Sequence, residues 1–291
     1  SSAASDVYKR QLSVDVGSNN EVTMGSDVNI HGTLDLESGA LVLATNDLTI
    51  EAGGDIESGG NGSVSSDSMS SIFIEAGATL SGELTFTAGS EDVDTLSIDV
   101  GSSNEVTLGS EVEVHGVLDL ESGALVLAAN DLTISGDVDT SGAGSISADD
   151  GADISITAAG SLTGGLVFTA GEDTVNNFTV DIAGGGEVAI ESNLTIAGQL
   201  NFVSGSVTID DSLNIASGAS ITGADGSSFV ITNGEGQLTM EIASGGSAEF
   251  PVGITASFSP VTIDHNGVNA GNYSVNVGDS VLTEGEFGVD I

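Results

Sequence analysis

The chain of 291 residues carries 44 Asp and Glu against 2 Lys and Arg, a formal net charge of −42, with 42 Gly, no Trp and no Cys. Nucleic acid and anionic membranes are both held through Lys and Arg, so this balance excludes both as partners, and without Cys there is neither a disulfide nor a thiolate metal site. The acidity reads first as a solubility device; metal cations, loosely bound, and neutral or cationic surfaces are the partners it leaves.

The opening segment, Ser1 to Gln11, contains both cations, Lys9 and Arg10. It resembles the translated sequencing-adapter remnant found at the ends of gene fragments from environmental DNA, and is set aside from fold reasoning. The natural protein is expected to continue upstream, where a signal peptide would lie, and beyond the abrupt end at Gly288, Val289, Asp290 and Ile291. No apolar run approaches the roughly 18 residues of a membrane span.

From Leu12 the sequence repeats. LSVDVGSNNEVTMGSDVNIHGTLDLESGALVLATNDLTI, ending at Ile50, recurs with few changes from Leu96 to Ile134, and a looser third copy starts at Phe178. Within this long unit, the pairs Leu34 and Leu36, Leu41 and Leu43, and Leu48 and Ile50 are spaced by seven. A spacing of two inside a pair puts both side chains on one face of a strand, with Asp35, Val42 and Thr49 on the other. Turn-forming residues separate the pairs, at Glu37-Ser38-Gly39 and Thr45-Asn46-Asp47. A heptad coiled coil needs three-four spacing and tolerates little Gly, so helix is rejected. Three sides of seven predict a triangular coil of about 21 residues, and the long unit from Leu12 to Leu96 then holds four coils. Leu118, Leu125 and Leu132 are expected to continue the ladders of Leu34, Leu41 and Leu48. The predicted fold is an all-β parallel solenoid over residues 12–228, about ten coils and on the order of 50 Å long at a rise of roughly 4.8 Å. The rival is a sandwich of short antiparallel strands, whose hairpin signals are sparse in the repeats.

Along this solenoid the reactive residue types are weighed in turn. His31 and His115 occupy equivalent places before Gly32 and Gly116, are expected in outward turns roughly 19 Å apart, and have Ala197 as their third-copy counterpart. The calcium-binding nonapeptide begins correctly at Gly59-Gly60-Asn61-Gly62 but has Val64 where the ligand Asp belongs. Thr85 and Thr87 make one Thr-x-Thr pair, too few for an ice-binding array. Calcium candidates are Glu91, Asp92 and Asp94; Asp137 and Asp139; and Asp149, Asp150 and Asp153, since turn carboxylates are its usual ligands. Asp149-Asp150 and Asp210-Asp211 could supply paired carboxylates for glycoside hydrolysis. A lyase would lack the cation that steadies its enolate-like intermediate. His265, in the turn Asp264-His265-Asn266-Gly267, is expected to be exposed and alone.

Beyond Ser228 the spacing by seven is lost, and both prolines, Pro251 and Pro260, appear with four of the nine Phe. Residues 229–291 are expected to form terminal coils and a small β module. Here GQLNFVSGSVTIDDSLNIASGASITG runs into SFVITNGEGQL and then FPVG…SFSPVTI…YSVNV, which resembles repetitive secreted proteins of Bacteroidota. The resemblance spans most of Leu12 to Val277, is strongest from Gly198 to Val277, and implies export, usually through the type IX secretion system, with a separate C-terminal sorting domain.

The sequence thus points to a non-enzymatic structural or adhesive module of a larger extracellular or cell-surface protein, with an unknown surface or carbohydrate ligand. No residue is assigned a catalytic, cofactor-binding or metal role, and no cofactor is implied. A carbohydrate-active β-helix enzyme fragment and a calcium-binding solenoid are the alternatives.

Overall fold

A computed structural model describes residues 7–278 apart from 58, 140, 235 and 256, together with the backbone of 282–283 and 286–287. The expected break at Gly288 to Ile291, and residues 1–6, lie outside the described residues. Val7–Asp15 is a strand, so residues 7–11, which sequence reasoning sets aside, pair with the next coil.

Aliphatic residues at every second position make strands with one apolar face, and each strand finds its partner one coil further along, in parallel. Leu12 faces Leu34 and Leu96 faces Leu118. The coil length varies, from the short step between Glu105 and Ala124 to the long one between Ala148 and Asp173. The result is a parallel β-solenoid of three faces. The first carries Leu12, Leu34 and Ile56, then Val106, Leu125, Ile146 and Phe168. These two runs are joined through Leu80, whose N–H donates to the Glu105 carbonyl, and Ser81, which bonds Asp55. The second carries Val22, Leu41, Val64 and Phe86, then Val112, Leu132, Ile154, Phe178 and Leu200. The third carries Val28, Leu48, Ile72, Leu96, Leu118 and Val138. Leu34, Leu48, Ile72, Leu118 and Phe178 are all 0% exposed, and burying each such side chain stabilises by about 1.5–3 kcal/mol. Asp35, Val42 and Thr49 stand on the outer side, half-buried, as the alternation requires.

The short strands expected over Leu34–Ile50 are fewer and longer. Val28–Val42 runs as one strand through two corners, and only 43–47 interrupts it before Leu48–Ile50. Register shifts between Lys9 and Gln11 and between Val14 and Asp15 mark where the ladder bends, the usual effect of an extra residue on one strand. Gly39 has φ +85, with Gly123 and Gly205 at +89 and +87 in the same corner of the other copies. A Cβ at Gly39 would also stand 2.6 Å from the Asn20 carbonyl oxygen, so both backbone angle and space demand glycine.

Carboxylates join the coils at other corners. Asp27 Oδ1 accepts the N–H of Asp47, Asp47 Oδ1 that of Ser71, and Asp131 Oδ1 that of Asp153. Each acid satisfies a backbone donor that the bend removes from the ladder.

The long repeat does not hold four coils. Leu12, Val22, Val28, Leu34, Leu41, Leu48, Ile56, Val64, Ile72, Leu80 and Phe86 head successive sides before Leu96 opens the next copy, which makes 11 sides, not 12. The sides differ in length, short from Val22 to Val28 and long from Leu12 to Val22, because corners such as Gly17 to Asn20 carry loops of their own. The second copy is therefore rotated by one face. Leu34, Leu41 and Leu48 lie on faces one, two and three, and their counterparts Leu118, Leu125 and Leu132 on faces three, one and two.

Parallel pairing continues to Val230–Ile231 against Val252–Gly253. There the direction reverses: Gln237–Ile242 pairs antiparallel with Gly271–Val275, Ser247–Phe250 with Val261–Asp264, and Val252–Ile254 with Ser257–Phe258. The Phe229 and Phe258 rings meet at 5.2 Å. Antiparallel strands thus cover this end of the parallel stack, the exposed edge that a solenoid must protect.

Candidate functional site

The parallel stack, rather than sequence proximity, decides which reactive side chains meet. Asp92 lies one coil below Glu113, its Cα partner, and His115 stands just beyond, at the corner between the second and third faces. His115 Nε2 is 3.2 Å from Asp92 Oδ1 and 3.5 Å from Glu113 Oε1. Among the described residues this is the one group of three His, Asp or Glu whose donor atoms all lie within 4.8 Å of one another. One imidazole nitrogen and two carboxylate oxygens supply three of the four donors of a tetrahedral zinc site, and too few oxygens for calcium. Part of that capacity is taken, because Glu113 Oε1 accepts the Ser135 hydroxyl at 2.8 Å. His115 Nε2 is within hydrogen-bond reach of Asp92 Oδ1, with Glu113 Oε1 beside it. Beside it, Glu91, Glu111, Glu113, Asp131 and Asp153 line one groove, the negative counterpart of a cation atmosphere.

His31 does not stack under His115. The rotated repeat puts it at the corner between the third and first faces, where its Nδ1 is 3.0 Å from Glu51 Oε2. Where His115 meets Asp92 and Glu113, the first copy has Tyr8 and Asn29. His265 is half-buried and not alone: its Nδ1 is 2.6 Å from the Tyr273 hydroxyl and its Nε2 2.5 Å from the Asn269 carbonyl oxygen, so the ring closes the loop between Val261–Asp264 and Gly271–Val275.

The acidic clusters read from the sequence are mostly dispersed into structural bonds. Asp94, exposed, stands apart from the Asp92 group. Asp137 Oδ1 accepts the Thr163 N–H one coil on, and Asp149 Oδ1 closes its own turn on the Gly151 N–H. Asp153 accepts from the Asn177 N–H and from the side-chain amides of Asn176 and Asn177. Asp139 is exposed, and the Ser141 N–H at 2.7 Å, with help from the Ser141 hydroxyl, holds its carboxyl below the ordinary aspartate value. Asp150, Asp210 and Asp211 are exposed at corners. Val64, in the place of the missing nonapeptide ligand, is 0% exposed in the second face. Thr87 bonds Ser63 at 2.6 Å.

Sequence grouping put Asp92 with Glu91 and Asp94 and missed its partners. The signal was present, since one coil of three sevens leads from Asp92 to Glu113. No protein-family model, curated protein or solved structure matches the chain. Among the described residues no helix is long and apolar enough to cross a membrane.

Proposed function

We propose that this chain is a stiff structural or adhesive module of an extracellular bacterial surface protein, holding other parts of that protein away from the cell. The observation that carries the reading is the continuous aliphatic core, in which buried residues from Val14 to Val275 form a single cluster along all three faces. Such a stack resists bending because each coil is held to its neighbours by parallel ladder bonds along the faces and by carboxylates at the corners. The sequence resemblance to secreted Bacteroidota proteins supports the location, and the acidity supports solubility in salt. Loosely held divalent cations follow from the same charge, and the surface or carbohydrate that an adhesive module would meet is left open by it.

Stretching the full chain between two points by single-molecule force spectroscopy tests this. A spacer keeps its contour length up to a cooperative unfolding event; gradual extension at low force overturns the reading. Release of reducing ends or unsaturated sugars from a polysaccharide panel would assign the chain to carbohydrate-active enzymes instead.

A further inference from the structure

The second repeat has an apolar cavity at the junction of the third and first faces. Its floor is Leu120, Val138, Ile146 and Leu166, all buried, and Asp139 and Glu191 are the two carboxylates in its wall. The cavity measures about 130 Å³, close to the roughly 150 Å³ that accommodates a benzene-sized guest.

Beyond Ile50 the alignment of the two copies shifts slightly, so that Phe86 corresponds to Phe168, Glu83 to Gly165 and Gly109 to Glu191. The carboxylate and the glycine have changed places. In the first copy Glu83 rises from the lower coil, and a Cβ on Gly109 above it would lie 2.9 Å from Glu83 Oε2. In the second, Glu191 descends from the upper coil, and a Cβ on Gly165 below it would lie 2.7 Å from Glu191 Oε1 and Cγ. Equivalent backbone bonds flank both pairs, Gly109 N–H to the Leu84 carbonyl and Glu191 N–H to the Leu166 carbonyl. A carboxylate at this corner is thus kept while the residue that brings it changes, and in the second arrangement Gly165 and Glu191 both line the cavity.

We infer that this cavity binds a small organic cation with apolar substituents, of the methylated ammonium class, whose methyl groups rest on Leu120 and Val138, backed by the fully buried Ile146 and Leu166, while Asp139 and Glu191 balance its charge. A fully hydrated metal ion gains nothing from four aliphatic side chains, and a neutral hydrocarbon gains nothing from two carboxylates. Asp139 is kept ionised by the Ser141 N–H, which suits a cation and opposes an anion. The inference stands apart from the spacer reading and needs none of it.

The test is a titration of the full chain with tetramethylammonium, followed by methyl NMR, beside tert-butanol as a neutral molecule of the same heavy-atom count. The exchange of Gly165→Glu with Glu191→Gly restores the first-copy arrangement at unchanged net charge, and passes a Glu side chain through the space that Gly165 leaves open. Saturable shifts confined to the Leu120, Val138, Ile146 and Leu166 methyls are expected, with tert-butanol weaker by about fivefold for the two partly screened carboxylates. The exchanged variant should lose the saturable shifts. Asp139→Asn, at an exposed position, should weaken tetramethylammonium by about threefold and leave tert-butanol unchanged, which keeps the test alive if the exchanged variant does not fold. Non-saturating shifts spread over the acidic corners, equal binding of tert-butanol, or undiminished binding in the exchanged variant would overturn the inference. So would phosphocholine binding as tightly as choline, since a phosphate should be repelled by the same acids.

Discussion

Leu34 and Leu118 hold the same place in the long repeat and lie on different faces of the solenoid. Leu118 continues the ladder of Leu48, Ile72 and Leu96, whereas Leu34 stacks between Leu12 and Ile56. One repeat advances the chain by three and two-thirds coils, so any patch duplicated with the repeat points in a second direction, as His31 and His115 do. Cross-linking checks the rotation. Phe73 and Ser97 are Cα partners on adjacent coils, at the roughly 4.8 Å strand spacing that a disulfide can bridge, and the chain has no Cys to interfere. Phe73→Cys with Ser97→Cys should oxidise readily and migrate faster on a non-reducing gel. Ala76→Cys with Ser97→Cys, the pair that a strict coil of three sevens would align, should stay reduced; the opposite outcome restores four coils per repeat.

Two neighbouring acids should respond in opposite directions to neutralisation. Asp153 accepts hydrogen bonds from Asn176 and Asn177 on the next coil, so Asp153→Ala should cost about 1.5–3 kcal/mol, the scale of bonds to a charged group. Asp150 is exposed at the same corner, and Asp150→Asn should leave stability unchanged or raise it slightly by easing repulsion. Urea midpoints of the two variants decide this. If Asp153→Ala is also neutral, the corner acids serve solubility alone.

Leu34, Leu41 and Leu48 made the fold legible, because a period of two within strands and a recurrence near seven leave a parallel solenoid as the consistent reading. The coil count was not legible. It depends on Gly17 to Asn20, a loop at a corner, and on Ala88 to Ser90, extra residues inside the strand Phe86–Asp99 where the register shifts, and no local pattern ties the length of either to a face. The sites failed for a related reason. Asp92 and Glu113 belong to successive coils, as do Glu83 and Gly109, so each meeting needs the true register before it can be seen. The role of corner aspartates as acceptors for the next coil was hidden behind the bulk acidity, which made every Asp look alike.

Asp139 gives a local pH signature. Donors from Ser141 favour its ionised form, so its folded pKa is depressed. A depressed carboxyl contributes stability that is present above the ordinary aspartate value of about 3.9 and fades as pH falls through the lower folded value. Ser141→Ala removes the hydroxyl and keeps the N–H, so the Asp139 carboxyl resonance should titrate at a higher pH than in the parent, and still below a free aspartate. A titration unchanged by Ser141→Ala would leave the N–H as the sole cause.

The last prediction concerns ionic strength. With a net charge of −42 and both fixed cations before Gln11, repulsion between acidic corners opposes the compact state. Raising salt from about 0.01 M to 1 M shortens the screening length from roughly 30 Å to roughly 3 Å, less than one coil spacing. The melting temperature should therefore rise with NaCl, and rise most steeply at low salt, where the screening length still spans several coils. Divalent ions separate screening from a built site. Asp92, Glu113 and His115 offer three donors with Glu113 already bonded to Ser135, and the acids of the neighbouring groove share no common centre, so Ca²⁺ and Mg²⁺ at equal concentration should stabilise alike. A saturating gain at sub-millimolar Ca²⁺ that Mg²⁺ does not reproduce, reversed by a chelator, would show a defined calcium site by linkage. If that gain vanished in His115→Ala while the NaCl response stayed, the site would be the corner of Asp92 and Glu113, and screening alone would no longer explain the effect of the ions.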